Sequence, residues 1–230
     1  MNNFLILLIP MILSSRPGGA QDPAALMKEV KIKMEKINDY EAKARFKTEI
    51  SFMKVPDADV KIYYKKPDKI KIKNENGISL VPKETGSISL YSLVNSSYQA
   101  LDAGQDMVQG IPVRIIKLLP SNDNGELVLA TLYIDPRRLL VMKAKTTTRE
   151  NGTDEVELFY GKFLPLGLPD QIIFSFNTQD FKLPKGVTFD YDDGTAKKKP
   201  AESSKSKHGK IEISYQSYAI NQGLADSLFK

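Results

Sequence analysis

Apolar and polar residues alternate along much of this chain, and the stretch IYYKKPDKIKIK at 62–73 shows the pattern in its clearest form. Lysines occupy many of the odd-numbered positions, and the even-numbered positions are mostly apolar. Because successive side chains of a strand point to opposite faces, the alternation predicts strands with one face in an apolar core and one in water. Pro67-Asp68 predicts a turn, so the stretch predicts a β-hairpin. The apolar parity comprises Ile62, Tyr64, Ile70 and Ile72.

The same alternation recurs to the end of the chain and predicts a long antiparallel meander. Between the strands, the segment 87–104 fits a short helix or a strand equally well. The segment 190–210 is polar, with few apolar residues, and predicts a loop. The predicted strands cover 42–55, 58–65, 69–73, 111–120, 126–135, 139–148, 154–163, 171–177 and 211–220.

The segment 22–40 instead has the period of an amphipathic helix. Asp22 suits the N-cap, and Pro23 suits the first helical position. We expect the helix to cover the apolar face of the first strands. Its predicted apolar stripe comprises Leu26, Val30, Met34 and Ile37.

Composition narrows the possible chemistry. The 230 residues are 41% hydrophobic and 27% charged, which predicts one globular domain. A net charge of +5 without an arginine-rich stripe argues against nucleic-acid binding. Cysteine is absent and His208 is the single histidine, so a thiolate or histidine metal site and a Ser-His-Asp triad lack their residues. We therefore predict no enzyme, no cofactor and no metal.

The first twenty residues differ from the rest. An apolar run at 4–13 is too short to span a bilayer, and small residues follow it at 18–20. This predicts a signal peptide at 1–20 and a single exported domain at 21–230, although the run has no preceding Lys or Arg. The alternative is a buried N-terminal strand or helix.

The order of these features resembles the outer-membrane lipoprotein carrier family (LolA-like). An N-terminal helix precedes strands that lead to a turn with a basic residue before proline, here Lys66-Pro67. The resemblance covers roughly 22–220. Further similar segments are GQDMVQGIPVRIIKLLP at 104–120, LYIDPRRLLVMKAK at 132–145 and FKLPKGVTFD at 181–190.

This resemblance implies a fold class of α+β, with a curved antiparallel sheet that forms an unclosed half-barrel and helices packed on its concave side. It implies a periplasmic monomer that carries lipoprotein acyl chains or other lipids, with inner- and outer-membrane sorting components as further partners. Relatives with the same half-barrel are envelope-stress sensors, so the alternative is a protein-binding module.

The resemblance also suggests which residues serve the ligand. In the family, an arginine before the turn proline hydrogen-bonds the lid over the cavity. Lys66 stands there in this chain and is our lid-contact candidate, although lysine lacks arginine's planar fork. The lysine-rich 190–210 segment departs from the family. The candidates for the hydrophobic cavity are Phe46, Ile50, Phe52, Ile62, Tyr64, Ile70 and Ile72, and their alternative role is ordinary core.

Overall fold

The computed structural model describes residues 22–50, 53–54, 56–74, 90–121, 125–149, 152–177 and 208–229. The predicted signal peptide and most of the predicted polar loop lie outside these residues. The helices are α1 (Pro23–Met34) and α2 (Leu90–Asn95), with short 3-10 helices at Leu164–Leu166 and Asp226–Phe229. The strands are β1 (Asp39–Ile50), β2 (Met53–Lys54), β3 (Ala58–Lys65), β4 (Lys69–Asn74), β5 (Tyr98–Val108), β6 (Ile111–Pro120), β7 (Leu127–Asp135), β8 (Leu140–Thr148), β9 (Gly152–Phe159), β10 (Gln171–Asn177) and β11 (His208–Ile220).

The eleven strands of the described residues belong to one sheet, and every pairing among them is antiparallel. The order across the sheet is β4-β3-β1-β11-β10-β9-β8-β7-β6-β5, with β2 paired to the end of β1. β4 and β5 are the two edges, and they do not pair with each other in the described part of the chain. The sheet is therefore not closed, and the predicted unclosed half-barrel is confirmed.

Helix α1 begins as predicted but ends early. The Asp22 side chain accepts a hydrogen bond from Ala24 N, and Pro23 occupies the first turn. The helix ends at Met34, although the predicted stripe continued to Ile37. The reason is that β1 starts at Asp39, where pairing with β3 fixes the backbone in the extended conformation.

Strand boundaries also differ from the prediction, and the strand predicted at 154–163 spans Gly152–Phe159. The single strand predicted at 42–55 is wrong, because β1 ends at Ile50 and β2 runs back beside it, with Ile50 opposite Met53. The segment 87–104, which the period left open, contains both structures: α2 is followed by the start of β5.

The larger core lies between the helices and the strands from β6 to β9. We call it the helix-covered core. Its strand residues are fully buried at Ile116, Leu132 and Ile134. From the helices it receives Leu26, Met27, Val30, Leu93 and Val94.

Within the described ranges, no helix has both the length and the apolar character that crossing a bilayer requires.

Candidate ligand-binding face

A second apolar cluster lies on the other half of the sheet, on β1, β3, β4 and β11. We call it the tyrosine-rich face. Its buried centre is made of four small or branched residues, and no residue of α1 or α2 belongs to the cluster in the part of the chain that is described. The centre comprises Ala42, Ala44, Val60 and Ile62, and around it pack Tyr40, Phe46, Ala58, Ile72, Ile213, Tyr215 and Tyr218.

Strand register explains the shape of this face. Ala42 lies between Ile62 on β3 and Tyr218 on β11, whereas Ala44 lies between Val60 and Tyr215. Directly opposed side chains of neighbouring strands contact one another across a sheet. The small side chains of Ala42 and Ala44 on the central strand are covered by the larger side chains on both sides, and both alanines are buried.

A β-bulge in β11 brings two tyrosines to the same face. Lys43 pairs with Ser217, but the next residue, Ala44, pairs with Tyr215, so β11 has one extra residue there. Without the bulge, Tyr215 and Tyr218 would point to opposite faces, because their spacing is odd. With it, both pack beside the alanines of β1.

The tyrosine rings form a connected set. The Tyr40 ring stacks on Tyr64 with centroids 5.1 Å apart and meets the edge of Tyr218 at 5.3 Å. Tyr215 stacks on Tyr218 at 4.8 Å. Rings at these distances gain about 0.5–1.5 kcal/mol per pair beyond their burial. Phe163 extends the set with an edge contact to Tyr218 at 4.9 Å.

Burial dominates the acid–base chemistry of these phenols. It raises the pKa of Tyr215 to about 12, although hydrogen bonds with Tyr218 and Tyr40 act in the opposite direction. It also raises the pKa of Tyr40 and Tyr218 well above the usual range. The Tyr218 hydroxyl donates to the carbonyl oxygen of Pro169 at 3.0 Å. The phenols are neutral at physiological pH and act as apolar rings with hydrogen-bonding tips.

Tyr64 has a different environment. Its hydroxyl is buried and has no hydrogen-bond partner among the described residues. Its ring lies 6.4 Å from the ring of Tyr91 on α2, with an edge-on orientation. Tyr64 therefore lies where the tyrosine-rich face meets the helices.

Lys66 lies at the same junction. Its Nζ atom is 3.3 Å from the carbonyl oxygen of Glu35, which directly follows the last residue of α1. Carbonyl oxygens at a helix C-terminus carry partial negative charge and attract cations. The contact joins the β3–β4 turn to the end of α1.

The predicted cavity residues are distributed unevenly. Phe46, Ile62 and Ile72 belong to the tyrosine-rich face, and Ile70 is 42% exposed at the sheet edge. Ile50 is the last residue of β1, opposite Gly209 of β11, and Phe52 lies outside the described residues. The expectation that helix 22–40 covers this set is wrong, because α1 packs on the other half of the sheet.

Sequence reasoning missed the tyrosines of the first and last strands. Tyr40 fell at the end of the predicted helix, and Tyr215 and Tyr218 have opposite parity in sequence. The alternation of apolar and polar residues does not predict the bulge that places both tyrosines on one face. No group of three or more potential metal ligands occurs among the described residues.

Comparison with known proteins identifies structures that share this fold. No protein-family model and no curated protein sequence matches this chain. Solved structures do match over most of their length. A domain named for outer membrane lipoprotein sorting from Vibrio parahaemolyticus superposes with a TM-score of 0.55 and 9% identity, covering 89% of this chain and 94% of that one.

Two further structures agree. A LolA superfamily protein from Nitrosomonas europaea has a TM-score of 0.52 and 10% identity, over 89% of this chain and 97% of its own. A DUF1329 family protein from Desulfovibrio piger has a TM-score of 0.51 and 13% identity, over 91% and 98%. Identities this low compare architecture alone, and by that measure this chain has a LolA-like half-barrel fold.

Proposed function

We propose that this protein is a non-catalytic periplasmic carrier that binds lipoprotein acyl chains or other lipids on the tyrosine-rich face. The observation that supports this most is the division of the sheet into two apolar halves, of which α1 and α2 pack on only one. The fold comparison adds that proteins of the same architecture include one named for lipoprotein sorting.

The energetics of the ligand require such a face. Each CH₂ group of an acyl chain costs about 0.8 kcal/mol to expose to water, so a ~16-carbon chain needs shielding on the order of 10 kcal/mol. An apolar face lined by aromatic rings, once opened, supplies contact area without a fixed hydrogen-bond pattern. That suits a ligand whose tail has no polar groups.

Release of the ligand requires a part that moves. The β3–β4 turn is joined to the end of α1 by the Lys66–Glu35 hydrogen bond, and to the residue before β1 by a hydrogen bond from Lys66 N to the carbonyl oxygen of Asn38. We propose that Lys66 and Tyr64 close this junction over the ligand. Loss of the Lys66 contact would then change the rate of ligand exchange more than the fold.

The test is uptake of a dansylated fatty acid by the purified protein, with native mass spectrometry of material from its own envelope. Phe46→Ala and Ile72→Ala should each weaken binding by about tenfold, for a loss of ~1.4 kcal/mol of apolar contact. Leu119→Ala is the matched control, because Leu119 is 38% exposed and has the opposite parity to buried Leu118. Equal affinity of all three variants, or a protein that takes up no probe, contradicts the proposal.

A second function is favoured by one observation at the β5 edge. Residues 101–107 of this edge strand are all exposed, including Leu101 at 39% and Met107 at 58%. An exposed strand edge accepts an added strand from another protein. If the protein is an envelope sensor, native mass spectrometry will find a polypeptide bound to it. The Met107→Lys variant should then be found without that polypeptide.

A further inference from the structure

A basic cleft opens beside α1. Its volume is about 500 Å³, and it lies between α1, the turn that joins β7 to β8, and the 3-10 helix Leu164–Leu166. Glu29 is the one carboxylate in its lining. The other lining residues are Ile32, Lys33, Lys36, Arg137, Arg138, Leu139 and Leu164.

Hydrogen bonds fix the Lys33 side chain and the backbone of the turn at this cleft. Lys33 Nζ donates to the carbonyl oxygen of Arg138 at 2.5 Å. Beneath the turn, buried Asp135 accepts from the backbone N–H groups of Arg137 and Arg138, at 2.9 and 3.2 Å. Gly167 leaves room for the Lys33 side chain, because a Cβ at this position would lie only 3.2 Å from Cε of Lys33. The turn and the helix therefore present their charges together.

Positive charge is concentrated here beyond what the protein neutralises. Lys36 and Arg137 have no acidic partner among the described residues, and both are exposed. Burial lowers the pKa of Lys33, and the charge of Lys36 lowers it further against the opposing effect of Asp135. The crowding of like charges would be relieved by an external anion.

Apolar side chains lie beside these charges. Ile32, on the outer side of α1, is 52% exposed, and Leu166 of the 3-10 helix is 39% exposed. Neither belongs to any of the apolar clusters. Basic residues beside exposed apolar residues are the arrangement by which proteins bind the interface of an anionic bilayer.

We infer that this cleft, together with Ile32 and Leu166, is a docking surface for an anionic phospholipid membrane. Lys36 and Arg137 bind lipid phosphates, and the two apolar side chains enter the interface. This surface differs from the tyrosine-rich face and does not depend on what that face binds. It would hold a carrier beside the membrane that supplies or receives its cargo.

The experiment is cosedimentation of the protein with vesicles of phosphatidylglycerol and phosphatidylcholine, compared with vesicles of phosphatidylcholine alone. We expect binding to the anionic vesicles only, weakening as salt rises. Each basic side chain near an anionic surface contributes about fivefold, so the double variant Lys36→Ala/Arg137→Ala should lose about 25-fold in partitioning. Ile32→Ser should weaken binding while leaving its salt dependence unchanged.

The control is Lys43→Ala/Lys117→Ala, which removes the same charge from exposed positions on β1 and β6. It should stay within about twofold of the unmodified protein, because these lysines lie away from the cleft. Absence of vesicle binding, equal binding to neutral vesicles, or equal losses in the two double variants would each overturn the inference. Tighter capture by a polyglutamate peptide would overturn it in favour of an acidic protein partner.

Fatty-acid uptake by the same variants separates this inference from the proposed carrier function. Lys36→Ala/Arg137→Ala should take up the dansylated probe like the unmodified protein, because neither residue lies on the tyrosine-rich face. A protein that binds vesicles but no probe would refute the carrier alone.

Discussion

The two apolar halves of this sheet differ in how they are built. The helix-covered core uses large aliphatic residues such as Ile116 and Leu132, both with no exposed surface, beneath two helices. The tyrosine-rich face places alanines at its centre and aromatic rings around them. Aliphatic interdigitation favours one tight arrangement. We propose that the aromatic rings over the alanines give way to a ligand, so that one half serves stability and the other serves binding.

The largest effect should come from a matched pair of truncations. Ile116→Ala removes a fully buried side chain from the helix-covered core and should lower the free energy of unfolding by about 2–5 kcal/mol. Ile72→Ala, on the half-buried margin of the tyrosine-rich face, should cost about 1 kcal/mol. Urea denaturation measures both. Equal losses would show that the two halves contribute alike to stability.

Alkaline pH should affect the tyrosine-rich face first. Folding raises the pKa of Tyr215 from 10.0 to about 12, so the unfolded chain loses this proton at lower pH than the folded one. Stability is therefore fully present below pH 10.0 and is lost as pH rises towards about 12, at up to ~1.4 kcal/mol per pH unit for each such tyrosine. Tyrosinate absorbance, followed with circular dichroism, should rise as the protein unfolds. Titration of all tyrosines near 10.0 in the folded protein would contradict this.

Each half also has a turn held by an aspartate. Asp135, 3% exposed, supports the turn beside the helix-covered core, whereas Asp170 accepts from Lys162 N at 3.0 Å and Phe163 N at 3.3 Å next to Tyr218. Asp135→Ala should cost about 2–3 kcal/mol, because it leaves the N–H groups of Arg137 and Arg138 without their acceptor. Asp170→Ala should cost about 1–2 kcal/mol and weaken probe binding through Phe163. Thermal unfolding and the uptake assay measure the two effects, and unchanged uptake in Asp170→Ala would separate the turn from the ligand.

The smallest change concerns a single hydroxyl. Tyr64→Phe removes a buried oxygen that has no partner among the described residues, so it should raise stability by about 1 kcal/mol. Tyr218→Phe removes the hydrogen bond to Pro169 and should lower stability by a similar amount. Denaturant titrations should therefore show a higher free energy of unfolding for Tyr64→Phe and a lower one for Tyr218→Phe. If Tyr64→Phe instead lowers fatty-acid affinity, its hydroxyl binds the polar end of the ligand.

Alternation was sufficient to predict most of the sheet, because apolar and polar residues alternate along many of its strands. The strands at 58–65, 111–120 and 171–177 have the predicted bounds. Alternation could not predict where α1 packs, because an apolar stripe says that a helix face is buried but not against which strands. It likewise could not separate the two apolar halves.

The candidate site was only partly accessible from the sequence. Phe46, Ile62 and Ile72 were predicted from parity and lie on the tyrosine-rich face, although their role in ligand binding remains a prediction. Tyr215 and Tyr218 could not be predicted together, because the bulge in β11 depends on pairing with β1. The basic cleft could not be predicted from the sequence either, because the turn at 135–138 is far from α1 in sequence and contacts it only in the folded protein.

The pairing of β1 with β11 has a consequence for how the chain acquires its structure. Tyr40 lies opposite Ile220, and every other strand comes between them in sequence. Contacts between such distant residues are slow to form, because a long loop must close before they contribute. The tyrosine-rich face therefore cannot assemble until β11 is available to pair with β1.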